Sequence, residues 1–108
     1  MKGTHLGEFE ELVLLMVGIL HKEAYGIAIK DELEKKTGRR PSIGALHSAL
    51  TRLGEKGFLD SKLEEATEDR RGRRKRFYLL TRTGAQTIKQ VYELRKEMIN
   101  LIPKLASS

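Results

Sequence analysis

The segment from Ser42 to Gly84 constrains the fold most, because it places a helix with one small-residue face directly before a polar hairpin. Ser42 can cap this helix with its hydroxyl, and Gly57 can end it by adopting a positive φ angle. Between them, apolar residues recur at intervals of three and four, which puts them on one stripe of a helix. The stripe, which we expect to face the core, consists of Ile43, Leu46, Leu50 and Leu53.

The opposite face of this helix consists mainly of small side chains. At about 100° per residue, it presents Gly44, Ala45, Ser48, Thr51, Arg52 and Glu55. Small residues allow a close approach to a surface, hydroxyls can reach phosphates or base edges, and an arginine can bind guanine through two hydrogen bonds. These are the properties of a recognition helix in a major groove. The alternative is an ordinary amphipathic helix whose polar face is exposed to solvent and binds nothing.

Two short apolar segments around a polar tip follow the helix and predict a β-hairpin. They are Phe58, Leu59 and Leu63 before the tip, and Phe77, Tyr78, Leu79 and Leu80 after it. The first half of the tip is acidic, with Glu64, Glu65, Glu68 and Asp69. The second half carries six cations in seven residues: Arg70, Arg71, Arg73, Arg74, Lys75 and Arg76. Some of these charges can pair across the strands, but four acids cannot neutralise six cations, and the surplus suits contacts to DNA phosphates. A solvated surface is the alternative.

Composition narrows the class of protein. A chain of 108 residues with 39% hydrophobic residues is long enough for one domain with a modest core. The net charge of +6 favours a polyanionic partner. Cysteine is absent from the sequence, which excludes disulfides and thiolate metal sites.

An apolar run from Leu12 to Leu20 predicts a buried first helix. It is about half as long as the ~20 residues of a membrane span, and it follows Glu8, Glu10 and Glu11 rather than a basic segment. We therefore expect that this run is neither a membrane anchor nor a signal peptide. We also expect the protein to be cytoplasmic. The helix carries Phe9, Leu12, Val13, Met16 and Leu20 on one side, widened by Leu15 and Ile19. Because a helix that is apolar on most sides needs partners on most sides, a second subunit could contact Phe9 and Val13.

A second helix is predicted from Ile27 to Lys36, ended by Gly38 and docked through Ile27, Ile29 and Leu33. The connection from Gly38 to Pro41 carries Arg39 and Arg40. These arginines precede the recognition helix and are suited to phosphate anchoring, with a solvated linker as the alternative.

The last segment begins at Thr83-Gly84 and predicts a dimerisation helix. Its heptad-like stripe consists of Ile88, Val91, Arg95, Met98, Ile102 and Leu105. Two heptads are few for a coiled coil, so packing on the chain's own domain is the alternative. Pro103 should end or kink the helix near Leu101 to Ile102, and we expect the tail beyond it to be frayed.

Together these elements predict a mainly α fold with a small β-hairpin, α+β in class. It is a winged helix-turn-helix with an added N-terminal helix and a C-terminal dimerisation helix. Residues 1–83 would form the DNA-binding domain and residues 84–108 the dimerisation helix and tail, as one structural unit.

The chain resembles the PadR family of transcriptional regulators over nearly its whole length. The resemblance rests on Tyr25-Gly26-Ile27, the run from Gly44 to Leu53, Gly57-Phe58-Leu59, the run from Gly72 to Thr81, and Thr83-Gly84. It implies a winged-helix homodimer that binds a pseudo-palindromic operator and usually represses transcription. The single short helix after the wing is similar to the compact branch of that family.

Two features of the sequence depart from the family pattern. Family members commonly carry a tyrosine where this chain has His47, and phosphate contact, packing with a satisfied ring nitrogen and a pH-sensitive contact are its three possible roles. Tryptophan is absent, so the stacking of flat aromatic drugs between tryptophans, known in some small members, is not expected. Any pocket for a small-molecule effector would instead be lined by Phe9, Val13, Met16 and Met98, although the commoner role of such residues is ordinary core or interface.

Enzymatic function is not predicted. The three histidines, His5, His21 and His47, are scattered on different elements and lack the spacing of a metal site. We expect no cofactor and no metal. The rival function is a winged-helix module that docks its basic wing on an acidic protein partner.

Overall fold

The computed structural model describes residues 5–64 and 75–106, with side chains as far as Lys104. It confirms a mainly helical fold with one antiparallel hairpin. The elements are α1 (Glu8–Leu20), α2 (Gly26–Thr37), α3 (Ile43–Glu55), β1 (Leu59–Leu63), β2 (Arg76–Leu80), α4 (Arg82–Asn100) and α5 (Pro103–Ala106). A single 3-10 turn, His21–Glu23, joins α1 to the residues before α2.

The core forms around α1, which contacts α2, α3, α4 and β2. Its largest fully buried side chains are Leu14, Ile29, Leu33, Leu46, Leu53, Val13 and Val17. The buried face of α1 is therefore wider than the predicted stripe, and it includes Leu14 and Val17. Ile19, which the sequence placed on the apolar side, is exposed. This prediction was wrong because elements pack on α1 from several directions, and a single stripe does not describe its surroundings.

Two further side chains leave the predicted core. Ile27 of α2 and Ile43 of α3 are exposed, whereas Ala49 is fully buried beside the predicted leucines of α3. Both isoleucines lie in the first turn of their helices, at the edge of the core. The docking role predicted for Ile27 and the core role predicted for Ile43 were therefore wrong.

Local signals in the sequence set the helix ends. The Ser42 Oγ accepts a hydrogen bond from the amide of Ala45 at 3.0 Å, which confirms the predicted cap of α3. Gly38 and Gly57 adopt φ angles of 75° and 82° after α2 and α3. At the end of α3, the amide of Phe58 donates to the carbonyl of Leu53, which completes a glycine-based C-terminal motif.

The hairpin pairs β1 with β2 in register, with Leu59 opposite Leu80 and Ser61 opposite Tyr78. The amide of Tyr78 also donates to the carbonyl of Ala24, which ties the hairpin to the residues before α2. Most of the predicted tip, residues 65–74 with its acidic residues from Glu65 onward and Arg70, Arg71, Arg73 and Arg74, lies outside the described residues.

The long helix α4 packs on the core through only its first half. Ile88 and Val91 lie against the core, while the side chains beyond them are exposed. The helix ends at Asn100, close to the predicted position, and Pro103 begins α5. Residues 103–106 are thus helical rather than frayed, because proline is well suited to the first turn of a helix.

Two negative findings concern the described residues only. None of the helices there is long and apolar enough to cross a membrane. Within residues 5–64 and 75–106, no three His, Asp or Glu side chains are grouped so that they could hold a metal ion.

Candidate nucleic-acid interface

The exposed face of α3 carries the side chains predicted to meet DNA. Helix α3 begins at its Ser42 cap and is held on the core by Leu46, Ala49, Leu50 and Leu53. This packing turns the small-residue face outward. All of its members are exposed, namely Gly44, Ala45, Ser48, Thr51, Arg52 and Glu55, and His47 is exposed as well.

A groove of about 470 Å³ separates α3 from the hairpin. His47 and Thr51 line it from α3, and Ser61, Arg76 and Tyr78 line it from the strands. The Arg76 Nη1 donates to the Ser61 Oγ at 2.8 Å. Sequence reasoning did not include Arg76 and Ser61 among the site residues. Strand alternation was the available signal, since Arg76 and Tyr78 lie on one face of β2 and Tyr78 is paired with Ser61.

Tyr78 and His47, which both line this groove, differ in their burial. Burial raises the pKa of the Tyr78 hydroxyl, and the charge of Arg76 offsets only part of this effect. Tyr78 therefore stays protonated at neutral pH. His47 is exposed, which favours a contact with a partner over packing in the core.

The Arg52 side chain is hydrogen-bonded to Glu10 of α1. Its Nε donates to the Glu10 Oε2 at 2.6 Å, while the Lys56 Nζ donates to the Glu10 Oε1 at 2.6 Å. Burial acts to raise the pKa of the Glu10 carboxyl, but the hydrogen bonds from Lys56, Arg52 and the Gly7 amide, with the charge of Lys56, together outweigh it, so that the pKa is lowered. The Arg52 side chain remains 48% exposed. The sequence did not predict this cluster, because Glu10 and Arg52 are 42 positions apart in the chain.

Arg39 is also engaged with α1. Its Nη1 lies 2.9 Å from both carboxylate oxygens of Glu8, and its guanidinium lies 5.6 Å from the centre of the Phe9 ring. Arg40 is exposed. The two arginines predicted to anchor phosphates therefore differ: Arg39 is held in an exposed ion pair, a kind of contact that is weak, whereas Arg40 has no such contact with Glu8.

The end of the hairpin nearest its tip contacts Tyr25, the residue that precedes α2. The Tyr25 hydroxyl donates to the carboxylate of Glu64. The Lys75 Nζ lies 5.1 Å from the centre of the Tyr25 ring, and the Phe77 ring is tilted against it at 6.0 Å. These contacts fix the orientation of the hairpin relative to α2. Lys75, directly before β2, remains exposed.

The residues predicted for a dimer interface fall into three groups. Val13 is fully buried in the core, so it has no surface for a second subunit and its assignment was wrong. Phe9, Ile88 and Val91 are half-buried against the core. The remaining residues, Arg95, Met98 and Ile102, line an apolar groove of about 870 Å³ along α4, together with Leu6, Leu94 and Ile99.

Leu94 also lines this groove and was not among the predicted residues, although it lies three residues after Val91 and four before Met98. The residues named for any effector pocket do not lie together in the single chain, and two of them have the core role that was their commoner expectation. Val13 and Met16 belong to the core, whereas Met98 lies on the exposed groove.

The fold is similar to several solved structures of transcription regulators. The X-ray structure of a PadR-like transcription factor from Bacteroides fragilis has a TM-score of 0.73 and 26% identity, over 90% of this chain and 88% of that chain. A structure of hsRosR-S1 in a complex has a TM-score of 0.69 and 25% identity, over 99% of this chain and 88% of that chain. A PadR family transcriptional regulator from Eggerthella lenta has a TM-score of 0.69 and 23% identity, over 90% and 82%. No curated protein sequence matches the chain.

The family model of the PadR-like transcriptional regulators matches residues 14–90, from the core of α1 into α4. The match includes all of α2, α3 and the hairpin, which carry the interface described above. It covers well over half of the 108 residues. The chain therefore belongs to the PadR-like family and is a DNA-binding regulator of transcription.

Proposed function

We propose that the protein binds a pseudo-palindromic operator as a homodimer and represses transcription. The observation that carries the proposal is the outward face of α3, where small side chains and hydroxyls are exposed beside a groove that ends on Arg76. In this arrangement two copies of α3 enter successive major grooves on one side of the duplex. The half-sites then lie about one helical turn apart, ~10 base pairs.

Each part of the interface has its own role in this proposal. Gly44 and Ala45 let α3 approach closely, and Ser48, Thr51 and Arg52 contact base edges. Phosphates are contacted by Arg39, Arg40, Ser42, His47, Arg70, Arg71, Arg73, Arg74 and Lys75. To the residues predicted from sequence we add Arg76, which lines the groove between α3 and the hairpin.

The apolar half of α4 supports the homodimer. Tyr92, Leu94 and Met98 are all more than half exposed, and Ile99 is half exposed. Such a contiguous apolar surface is rare on a monomer. We therefore assign dimerisation to residues 84–108 and DNA binding to residues 1–83.

One observation favours the rival function of docking an acidic protein. Ile27 and Ile43 are exposed on the two helices that would meet DNA, and exposed apolar anchors are typical of protein interfaces. Contact between Ile43 and a thymine methyl group explains the same exposure within the proposed function.

Binding-site selection from a random duplex library tests the proposal. We expect a palindromic consensus, bound far more tightly than scrambled DNA at each of two salt concentrations. Arg52→Ala should relax the preference at one position of each half-site, whereas Lys96→Ala on the outer surface of α4 should leave the ranking unchanged. Equal, steeply salt-dependent binding to all sequences would show a nonspecific DNA-binding protein, and no binding would favour protein docking.

A further inference from the structure

Glu10 is the one buried charged residue in the described part of the chain, with 7% of its surface exposed. It lies in the first turn of α1, and its Oε1 also accepts a hydrogen bond from the amide of Gly7 at 3.3 Å. Its two side-chain partners, Arg52 of α3 and Lys56 directly after that helix, are four residues apart. A buried carboxylate with three donors is fixed in one orientation, because any other rotamer would leave the charge without partners.

The contact with Arg52 is made through Nε. A guanidinium has five N–H donors, and the four on its Nη atoms lie outside this contact. A bidentate contact with guanine O6 and N7 needs two donors in a fixed fork. Arg52 lies beside Ser48 on the exposed face of α3. The hydrogen bond to Glu10 therefore leaves the Nη donors of Arg52 available for the contact with guanine.

Holding the guanidinium in the free protein has a consequence for recognition. A long side chain normally loses rotamer freedom when it binds, and this loss opposes binding. A side chain that is already held loses less, and it presents its donors at a fixed angle that suits one base better than the others. The charge of Lys56 also keeps the cluster of one acid and two cations net positive, so that it attracts the phosphate backbone.

We propose that Glu10 is a positioning residue for base recognition: it holds Arg52 through Nε, and the base preference of Arg52 depends on that contact. Glu10 itself does not touch DNA. The inference rests on the proposed function, in which Arg52 contacts a base.

The test compares base preferences selected by the wild type, Glu10→Gln, Arg52→Ala and the double variant. Arg52→Ala should reduce preference for the base it reads by about tenfold or more. Glu10→Gln should reduce preference at the same position by about three- to tenfold, with little change in affinity for scrambled DNA. In the Arg52→Ala background, Glu10→Gln should have no further effect.

Glu11→Gln is the matched control. It makes the same change at the next residue, but Glu11 pairs with Arg95 of α4 at 3.1 Å and not with α3. Its base preferences should equal those of the wild type. A Glu10→Gln protein that changes affinity for all sequences alike, with the ranking kept, would overturn the inference.

A second measurement does not depend on a variant of Glu10. Nitrogen-15 relaxation in the free wild-type protein reports the motion of each arginine Nε, and the Arg52 signal is assigned by its loss in Arg52→Ala. We expect the Arg52 Nε to be rigid and that of exposed Arg40 to be flexible. Should Glu10→Gln fail to fold, a rigid Arg52 supports the inference and a flexible one overturns it. A wild-type protein that selects no sequence would overturn the proposed function as well, whereas a selected base that depends on Arg52 alone overturns only the role of Glu10.

Discussion

Gly84, in the first turn of α4, lies directly against the main chain of Phe58. A Cβ atom on residue 84 would be 2.3 Å from the Phe58 carbonyl oxygen and 3.0 Å from Leu80 Cδ1. The same carbonyl accepts a hydrogen bond from the amide of Thr81 at 3.1 Å, and the Thr81 hydroxyl caps α4 by accepting from the amide of Gly84. This close contact sets where α4 leaves the hairpin.

Gly84→Ala should therefore destabilise the protein. The methyl group would displace main-chain atoms that hold both the hairpin and the start of α4, and overpacking of this kind costs about 1–3 kcal/mol. Urea denaturation followed by circular dichroism measures the loss. Gly54→Ala is the control, because its Cβ would lie 3.9 Å from the nearest atom, the Leu59 carbonyl oxygen, and alanine is favoured in a helix. A Gly84→Ala protein as stable as the wild type would contradict the predicted clash.

The stability of the protein should fall in acid partly through Glu10. Burial raises the pKa of this carboxyl, but hydrogen bonds from Lys56, Arg52 and the Gly7 amide, with the charge of Lys56, lower it further than burial raises it, to below its ordinary 4.5. A lowered pKa in the folded state means that the stabilisation is present above the unfolded pKa and is lost as pH falls through the folded one. Glu10→Gln lacks this titration. Its free energy of unfolding should consequently decline less between pH ~6 and pH ~3 than that of the wild type, as measured by urea denaturation. Parallel declines would show that Glu10 contributes nothing to the acid response.

The arginines of the hairpin tip, the wing of the winged helix, should contribute to affinity for DNA without selecting a sequence. Arg73 and Arg74 lie outside the described residues, and the expectation follows from the charge of their segment. The double variant Arg73→Ala, Arg74→Ala should weaken binding to operator and scrambled DNA alike and lower the salt slope by about two. Fluorescence anisotropy at a series of salt concentrations measures this slope. Lys89→Ala with Lys96→Ala, which removes two cations from α4, should leave it unchanged, and a base-specific loss in the wing variant would reassign these arginines to base contact.

The exposed half of α4 should hold the dimer together. Met98 is 57% exposed in the single chain, so Met98→Glu should leave the fold intact while it places a charge in the apolar surface between subunits. We expect the wild type to sediment as a dimer at micromolar concentration and Met98→Glu as a monomer. Asn100→Glu adds the same side chain two residues later, about 200° around the helix, and should remain dimeric. A monomeric wild type would refute the dimer.

Features that depend on neighbouring residues were predictable from the sequence. The cap at Ser42 and the positive φ angles of Gly38 and Gly57 involve hydrogen bonds and torsions within a few residues. The hairpin was predictable for a similar reason, since two apolar segments separated by a polar tip have few other ways to pair. The resemblance to the PadR family followed from the same segments.

Features that depend on how elements pack were decided by the tertiary structure. Val13 became core and Ile43 became surface because burial depends on how many elements surround a helix, which its own periodicity does not report. The contact of Glu10 with Arg52 joins residues 42 positions apart, and only the packing of α1 on α3 brings them together. The sequence by itself determined the elements from α1 to α4, most of their ends and the class of partner, but not α5. The tertiary structure decided which side chains are free to reach that partner, because a side chain's neighbours are set by packing across the whole chain.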